Sequence, residues 1–187
     1  MGRRTGLGTH GLADAIARLG LAYDSPAAAE VVDKIYEMLK ISSYSESVRL
    51  AESRGAFPEF DWDTEKSNKY IKDLPKFLRD KISRFGRRNI SILTNAPTGS
   101  VSIMSRTSSG LEPVFRNSYI RRRKMDHNET SEPDFVDDLG DRWKEFEVHH
   151  HNVREYLELL KTDKIPDFFV ESNNINWMER INLQSVI

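Results

Sequence analysis

The segment Asn95-Ala96-Pro97-Thr98-Gly99-Ser100-Val101-Ser102 gathers three hydroxyls, an amide and a glycine, with no charge and little bulk. A short apolar run, Ile90 to Leu93, leads into it. A strand that ends in small residues lets N–H groups and hydroxyls converge on one point, which suits an anion. Gly99 permits a positive φ or a close approach. Ser100 to Met104 fits the start of a helix, whose first N–H groups and dipole favour negative charge. It is not a Walker loop, because the G-K-[ST] ending is absent. From these residues alone the segment reads either as a phosphate cradle or as a plain turn.

Three other stretches invite chemistry. Gly6-Leu7-Gly8-Thr9-His10-Gly11 matches the dinucleotide fingerprint letter for letter. That fingerprint must follow a buried strand and open a helix inside a βαβ unit. Here five residues precede it and a long helical pattern follows, so a tight turn with close backbone packing is expected. His149-His150-His151 could suggest a metal, but adjacent side chains diverge on helix or strand alike, so a junction before a helix is expected. Arg121-Arg122-Arg123-Lys124 could meet phosphates or RNA. No aromatic interleaves it in sequence, and Asp126, Glu129 and Glu132 follow closely, so a solvated strand end is expected.

Composition narrows the field. The chain has 187 residues, enough for one domain with a real core. Its 28 Lys and Arg stand against 29 Asp and Glu, so no overall field recommends nucleic acid or a membrane as a partner. No apolar stretch reaches the roughly 18 residues of a membrane span. The N-terminus carries no apolar signal core, so the expected location is cytoplasmic. The absence of cysteine excludes disulfides, thiolate metal sites and thiyl chemistry within this chain.

The elements that would position the loop follow from periodicity and punctuation. Gly11 to Leu19 predicts a short helix. Ser25 as cap and Pro26 at the first helical position predict a long one running to Gly55, with the apolar stripe Val31, Ile35, Met38 and Leu39. Ser42, Ser43 and Ser45 in its middle mark an expected close contact. Residues 56–68 read as a polar connection. Pro75 opens a helix with Phe77, Leu78 and Ile82 that ends at Gly86. Strands are expected over Arg88 to Thr94, Val114 to Arg121 and Trp143 to Val148. Residues 126–142 read as a surface excursion. Val153, Tyr156, Leu157 and Leu160 make a further helix, and Ile175, Met178 and Ile181 begin another. That last pattern runs to Ile187 without glycine, basic turn or polar tail, so a truncated chain is expected.

The loop also carries a family likeness. NAPTGSVS, then TSSGLEPVF at 107–115 and YIRRRK at 119–124, resembles the large catalytic subunit of ribonucleotide reductase, and most nearly the adenosylcobalamin-dependent class. GRRTGLGTHGLADAIARLGLAYDS at 2–25 resembles a second block of that family, and INWMERINLQSVI at 175–187 a helix that leads toward a later motif. The likeness is specific over most of residues 2–124 and looser beyond.

The resemblance implies an α/β fold, a ten-stranded barrel of two halves, with this helix-rich chain as a single partial domain, residues 1–187, in the second half. It implies that Ala96, Pro97, Thr98, Gly99, Ser100, Val101 and Ser102 receive substrate phosphates through N–H groups and hydroxyls. Ser109, Gly110, Leu111, Glu112 and Pro113 would brace that loop. The complete enzyme would reduce a ribonucleotide to a deoxyribonucleotide by cysteine radical chemistry, with adenosylcobalamin generating the radical. No catalytic side chain and no metal ligand is matched in this chain. Its partners would be the ribonucleotide substrate and the missing part of the barrel, and it would self-associate when alone. Two other readings remain: a free-standing module for a phosphorylated ligand, and one half of a split reductase that docks onto the other.

Overall fold

The computed structural model describes residues 2–187. Eight helices are joined by one small sheet: α1 (Leu12–Arg18), α2 (Pro26–Arg54), α3 (Trp62–Glu65), α4 (Lys69–Lys72), α5 (Lys76–Phe85), α6 (Gly99–Ser105), β1 (Ser118–Lys124), β2 (Phe135–Val136), β3 (Arg142–His149), α7 (His151–Leu160) and α8 (Trp177–Ser185). A 3-10 turn, Ser172–Asn174, precedes α8.

Local chemistry sets most boundaries. Ser25 Oγ accepts the Ala28 N–H at 3.1 Å, Pro26 follows at the first helical position, and Gly55 ends α2. Pro75 precedes α5 and Gly86 closes it. Asp61, Asn68 and Asn176 each cap a helix with a side-chain oxygen.

The long helix buries a different face from the one its strongest hydrophobes predict. Ala28, Val32, Tyr36, Tyr44, Ser47, Val48 and Ala51 are buried, whereas Ile35 and Met38 are exposed. The inward stripe is built of small residues and tyrosines, whose rings pack while their hydroxyls reach polar partners. The close contact of the helix middle is made by Ser47, not by Ser42, Ser43 or Ser45. Ser47 Oγ lies 3.0 Å from Asn89 Oδ1 and accepts the Asn89 N–H at 3.2 Å. α2 packs against α5 and α8, and its two ends enter two clusters of core residues. Leu12, Ile16, Tyr23, Val32, Tyr36 and Leu183 meet in the first, Tyr44, Val48, Leu78, Ile82 and Ile92 in the second.

The sheet is antiparallel, in the order β1-β3-β2, with Ser118 opposite His149 and Lys124 opposite Trp143. β1 starts later than Val114 because the residues before it are engaged elsewhere. Val114 is buried in the first core cluster, and Asn117 N–H donates to Glu171 Oε1 at 2.8 Å. Residues 126–142 form an excursion at the surface that contributes β2.

The expected strand Arg88 to Thr94 is an extended segment with one parallel bridge, Leu7 to Leu93. Backbone bonds flank it: Ile90 N–H to Gly2 O at 2.9 Å, Thr5 N–H to Ser91 O at 2.9 Å, Leu7 N–H to Ile92 O at 2.8 Å and Thr94 N–H to Leu7 O at 2.9 Å. Arg87 holds the entry to this segment, its guanidinium donating to the Asn89 and Ile90 carbonyls at 2.8 and 2.7 Å. The chain is thus helix-rich with a small sheet, and five parallel strands of a half-barrel are not formed among the described residues.

Candidate functional site

The segments 2–7 and 90–94 run side by side to a parallel bridge between Leu7 and Leu93, and the loops that follow start there together. Ligands of parallel α/β arrangements bind beyond the carboxyl ends of such strands. Asn95 to Thr98 leaves the second segment there and runs directly into α6.

The start of α6 is uncapped. Thr98 precedes it, but no side chain caps the helix. Thr98 Oγ1 instead accepts the Gly110 N–H at 2.7 Å and lies 3.5 Å from Ser109 Oγ. The first N–H groups of α6, from Gly99, Ser100 and Val101, have no partner within the helix, and the diversion withholds the side-chain cap that could have taken one of them. The exposed Ser100 hydroxyl stands beside them. Ala96 and Pro97 are exposed as well and form the approach. Ser102 is placed differently: it is buried, its hydroxyl donates to Gly99 O at 2.8 Å, and its N–H goes to Thr98 O at 2.8 Å. Gly99 does not use a positive φ, and a Cβ built on it would meet open space.

The brace is tied from below. Gly11 N–H donates to Ser108 O at 2.9 Å and Leu12 N–H to Gly110 O at 3.4 Å, so the start of α1 grips the turn that grips Thr98. Asp14 Oδ2 accepts the Ser108 N–H at 2.7 Å. Glu112 N–H closes the turn onto Ser109 O at 3.0 Å. Tyr23 donates its hydroxyl to Leu111 O at 2.5 Å, and burial pushes that phenol up to about 12. Pro113 is buried and Glu112 is exposed.

The other sequence motifs resolve into packing. A Cβ at Gly8 would fall inside the van der Waals envelope of the Thr94 carbonyl oxygen, so the glycine of the fingerprint lets two backbones touch and leaves no room for a pyrophosphate. Three of the four basic residues at 121–124 are ion-paired: Arg122 across the sheet to Glu145 on β3, Arg123 to Glu129 in the following excursion, and Lys124 to Asp141 just before β3. The three histidines diverge: His149 ends β3, His151 is exposed, and His150 turns inward. No group of three or more potential ligands sits together among the described residues.

Asp14 was not singled out by sequence, and His150 only as a member of the histidine run. His150 Nδ1 lies 3.6 Å from Asp14 Oδ1, too far for a hydrogen bond, and both atoms are buried without a partner. Burial pushes the His150 imidazole below its ordinary value, opposed by the Asp14 carboxylate. Asp14 also floors a cleft of about 520 Å³ at the far end of α6, rimmed by His10, Arg18, Arg106 and Glu155. The 136-residue separation of Asp14 and His150 in sequence hides this pair from any local pattern.

Comparison with known proteins supplies a family. Residues 1–187 match the family described as ribonucleotide reductase, barrel domain. The vitamin B12-dependent ribonucleoside-diphosphate reductase of Mycobacterium tuberculosis is 34% identical over 119 residues, covering 64% of this chain and 15% of that protein. Its namesake in Thermoplasma acidophilum is 34% identical over 121 residues, covering 65% and 14%. The ribonucleoside-diphosphate reductase large subunit of Plasmodium falciparum is 30% identical over 194 aligned residues, covering 94% of this chain and 23% of that protein. The chain therefore spans about a seventh to a quarter of the length of these curated relatives.

Proposed function

Since the chain belongs to the ribonucleotide reductase barrel-domain family, we propose that it is part of a reductase catalytic subunit and that the start of α6 receives the phosphates of the ribonucleotide substrate. The observation that carries this reading is the diversion of Thr98. A cap residue that turns its oxygen to Gly110 leaves the start of α6 uncapped beside a neutral, uncrowded mouth. Gly99, Ser100 and Val101 supply its N–H donors, with the Ser100 hydroxyl as a fourth. Thr98 and Ser109 to Pro113 hold the turn. Ser102 keeps the first turn of α6 closed from within.

Positioning is the share of this chain in the reaction. Fixing the phosphate end of a nucleotide converts a loose encounter into an oriented one, which lowers the entropic part of the barrier. The chain contains no cysteine, so the radical carrier and the reducing pair would come from the remainder of the subunit. Alone, this chain would not turn over ribonucleotide. The segments 2–7 and 90–94 would be two adjoining strands of the family barrel, whose other strands this chain does not supply.

Adenosylcobalamin is proposed as the radical generator of the complete enzyme, on the names of two relatives. The cleft beside α6 does not fit that group. The cleft at the far end of α6 holds about 520 Å³ and is walled by Arg18, Arg106, Arg154, Glu155 and Glu158, not by the flat apolar wall a corrin ring requires. The cofactor would sit elsewhere in the subunit, and the phosphate role does not depend on it.

The test is nucleotide affinity in the complete reductase, meaning the full gene product with any separately encoded remainder. Gly99→Val should weaken CDP binding and leave cytidine binding and folding unchanged. The structure makes this clean, because a Cβ at Gly99 meets no protein atom and no positive φ is lost. Ser100→Ala should weaken CDP about ten- to a hundredfold if its hydroxyl reaches the anion, since a hydrogen bond to a charged group is worth about 1.5–3 kcal/mol. Normal CDP binding by Gly99→Val, with loss in Arg122→Ala, would move the phosphate site to the sheet and refute the proposal.

A further inference from the structure

Among the described residues β1 pairs with β3 along one edge and with nothing along the other. From Tyr119 to Lys124 it is exposed throughout. Which backbone groups face outward follows from the two ends of the ladder. The His150 N–H donates to Asn117 O and the Met125 N–H to Arg142 O, both at 2.8 Å. Residues 117 and 125 therefore point at β3, and so do the odd-numbered residues between them. Successive residues alternate, so the N–H and C=O groups of Ser118, Ile120, Arg122 and Lys124 point away from the sheet. Such an edge is open to another strand.

The side chains along the edge decide which strand fits. Arg122, Arg123 and Lys124 already hold ion pairs within the chain, which leaves little free charge to draw an acidic peptide or a nucleic acid. Arg121 has no ion pair. A second copy of β1, antiparallel about Ile120, complements the edge. Ile120 then faces Ile120 of the second copy, Ser118 faces Arg122, and Tyr119 faces Arg121. The outward groups of Ile120 exchange two N–H···O bonds across the two-fold axis, and those of Ser118 and Arg122 do the same on either side. The exposed Tyr119 ring meets the Arg121 guanidinium of the other copy, a cation–π contact made twice. Phe146 lies opposite Arg121 on β3, and Val148 opposite Tyr119. A row of Phe146, Arg121, Tyr119 and Val148 would thus cross the joined sheets on one face.

Other registers are worse. Moving the centre one residue toward Lys124 sets Arg121 against Arg121. Moving it two sets Arg122 against Arg122 and Arg121 against Arg123, and like charges directly opposite are unfavourable. Moving it the other way runs off the strand, which begins at Ser118.

We infer that the free edge of β1 is a docking site for a second copy of this chain, which pairs with it antiparallel about Ile120 and joins two three-stranded sheets into one. The inference does not depend on the phosphate-loop reading. A contact of residues 118–122 is small against the roughly 1,200–2,000 Å² that stable complexes bury, so the association is weak and reversible.

The experiment places one cysteine at a time along the edge of the complete reductase: Ser118→Cys, Ile120→Cys, Arg122→Cys and Lys124→Cys. Each variant is mildly oxidised at high protein concentration, and disulfide-linked peptides are identified by mass spectrometry. Every chain holds a single residue 120, so a link from 120 to 120 joins two chains. In the inferred register those two Cα atoms stand roughly 5.5 Å apart, within disulfide reach. The two copies of residue 118, or of residue 122, stand roughly 14 Å apart. Ile120→Cys should therefore link to itself about tenfold more than any other variant, with thiol labelling by a maleimide as the control for access. Ile120→Lys sets a charge opposite its own copy and should weaken association about three- to tenfold in sedimentation equilibrium. Ile120→Pro removes an N–H that faces outward, where an edge strand tolerates proline, and should weaken association about tenfold or more with the fold intact. Association through the exposed residues of α8 would respond to none of these substitutions.

Self-linking at residue 122 or 124 as strong as at 120 would place the contact in another register and overturn the inference. Absence of the 120 link would overturn it too, as expected if the remainder of the subunit or another partner covers the edge. Equal association of Ile120→Lys and the wild type would do the same.

Discussion

Gly8 is where the register of the loop is set, and replacing it with alanine has a calculable cost. A Cβ there would stand about an ångström closer to the Thr94 carbonyl oxygen than a real Cβ comes to any atom. Neither partner is the flexible end of a side chain, so the two backbones must part. The bonds at stake are Leu7 N–H to Ile92 O at 2.8 Å and Thr94 N–H to Leu7 O at 2.9 Å. Each is worth about 1 kcal/mol net, and overpacking a close contact adds about 1–3 kcal/mol. Gly8→Ala should therefore cost on the order of 3–5 kcal/mol. For a chain of this size each kcal/mol lowers Tm by about 2–4 °C, which gives a drop of roughly 6–20 °C. Gly99→Ala is the contrast. It meets open space in a helical turn, where alanine gains up to about 1 kcal/mol over glycine, so Tm should hold or rise by a few degrees. Differential scanning calorimetry of this 187-residue chain reads both. A Gly8→Ala protein that melts within about 2 °C of the wild type would refute the close-approach argument.

Three further outcomes follow from the same geometry. Arg87 and Glu65 form a buried two-point pair at 2.7 and 3.1 Å, so Glu65→Ala strands a guanidinium and should cost about 3 kcal/mol, seen as a Tm fall of roughly 6–12 °C; an unchanged Tm would show the pair to be dispensable. His150 is held below its ordinary value of 6.5, chiefly by burial, so the unfolded chain binds its proton more readily. Its contribution is complete above about pH 6.5 and is lost as pH falls through the folded value; stability should drop between about pH 7 and pH 5.5, and His150→Gln should flatten that slope. An equally steep slope in the variant would rule His150 out as its source. Trp177, Met178 and Ile181 present exposed apolar surface on α8, so the isolated chain should self-associate in sedimentation velocity, and Met178→Glu with Ile181→Glu should reduce it; a monomeric wild type at working concentration would contradict this.

Punctuation was the most legible layer of the sequence. Ser25-Pro26, Pro75, Gly55 and Gly86 mark helix ends through local chemistry alone, and the structure places them there. The buried face of α2 was not legible, because Tyr36 and Tyr44 face inward while Ile35 and Met38 face out. Tyrosines pack there and pass their hydroxyls to polar partners, which a scale of apolarity does not register. The segment Arg88 to Thr94 reads as a strand, yet its partner is 85 residues away at Gly2 to Leu7 and pairs through one bridge. In the loop, composition and likeness pointed to residues 96–102. What they could not reveal is that Thr98 turns from the helix to Gly110, that Ser102 spends its hydroxyl inside the turn, and that Tyr36 reaches Asn95. The last depends on a contact between residues 59 apart in the chain, and the first two on which of several nearby acceptors a hydroxyl takes, which residue type alone does not decide.

The most direct measurement is a structure of the complete reductase with a ribonucleoside diphosphate bound. The account predicts the phosphates at the start of α6, within hydrogen-bond distance of the Gly99, Ser100 and Val101 N–H groups, with the Thr98 to Gly110 bond intact. Phosphates bound instead along Arg121 to Lys124, or a Thr98 hydroxyl returned to cap α6 with no anion beside it, would contradict it.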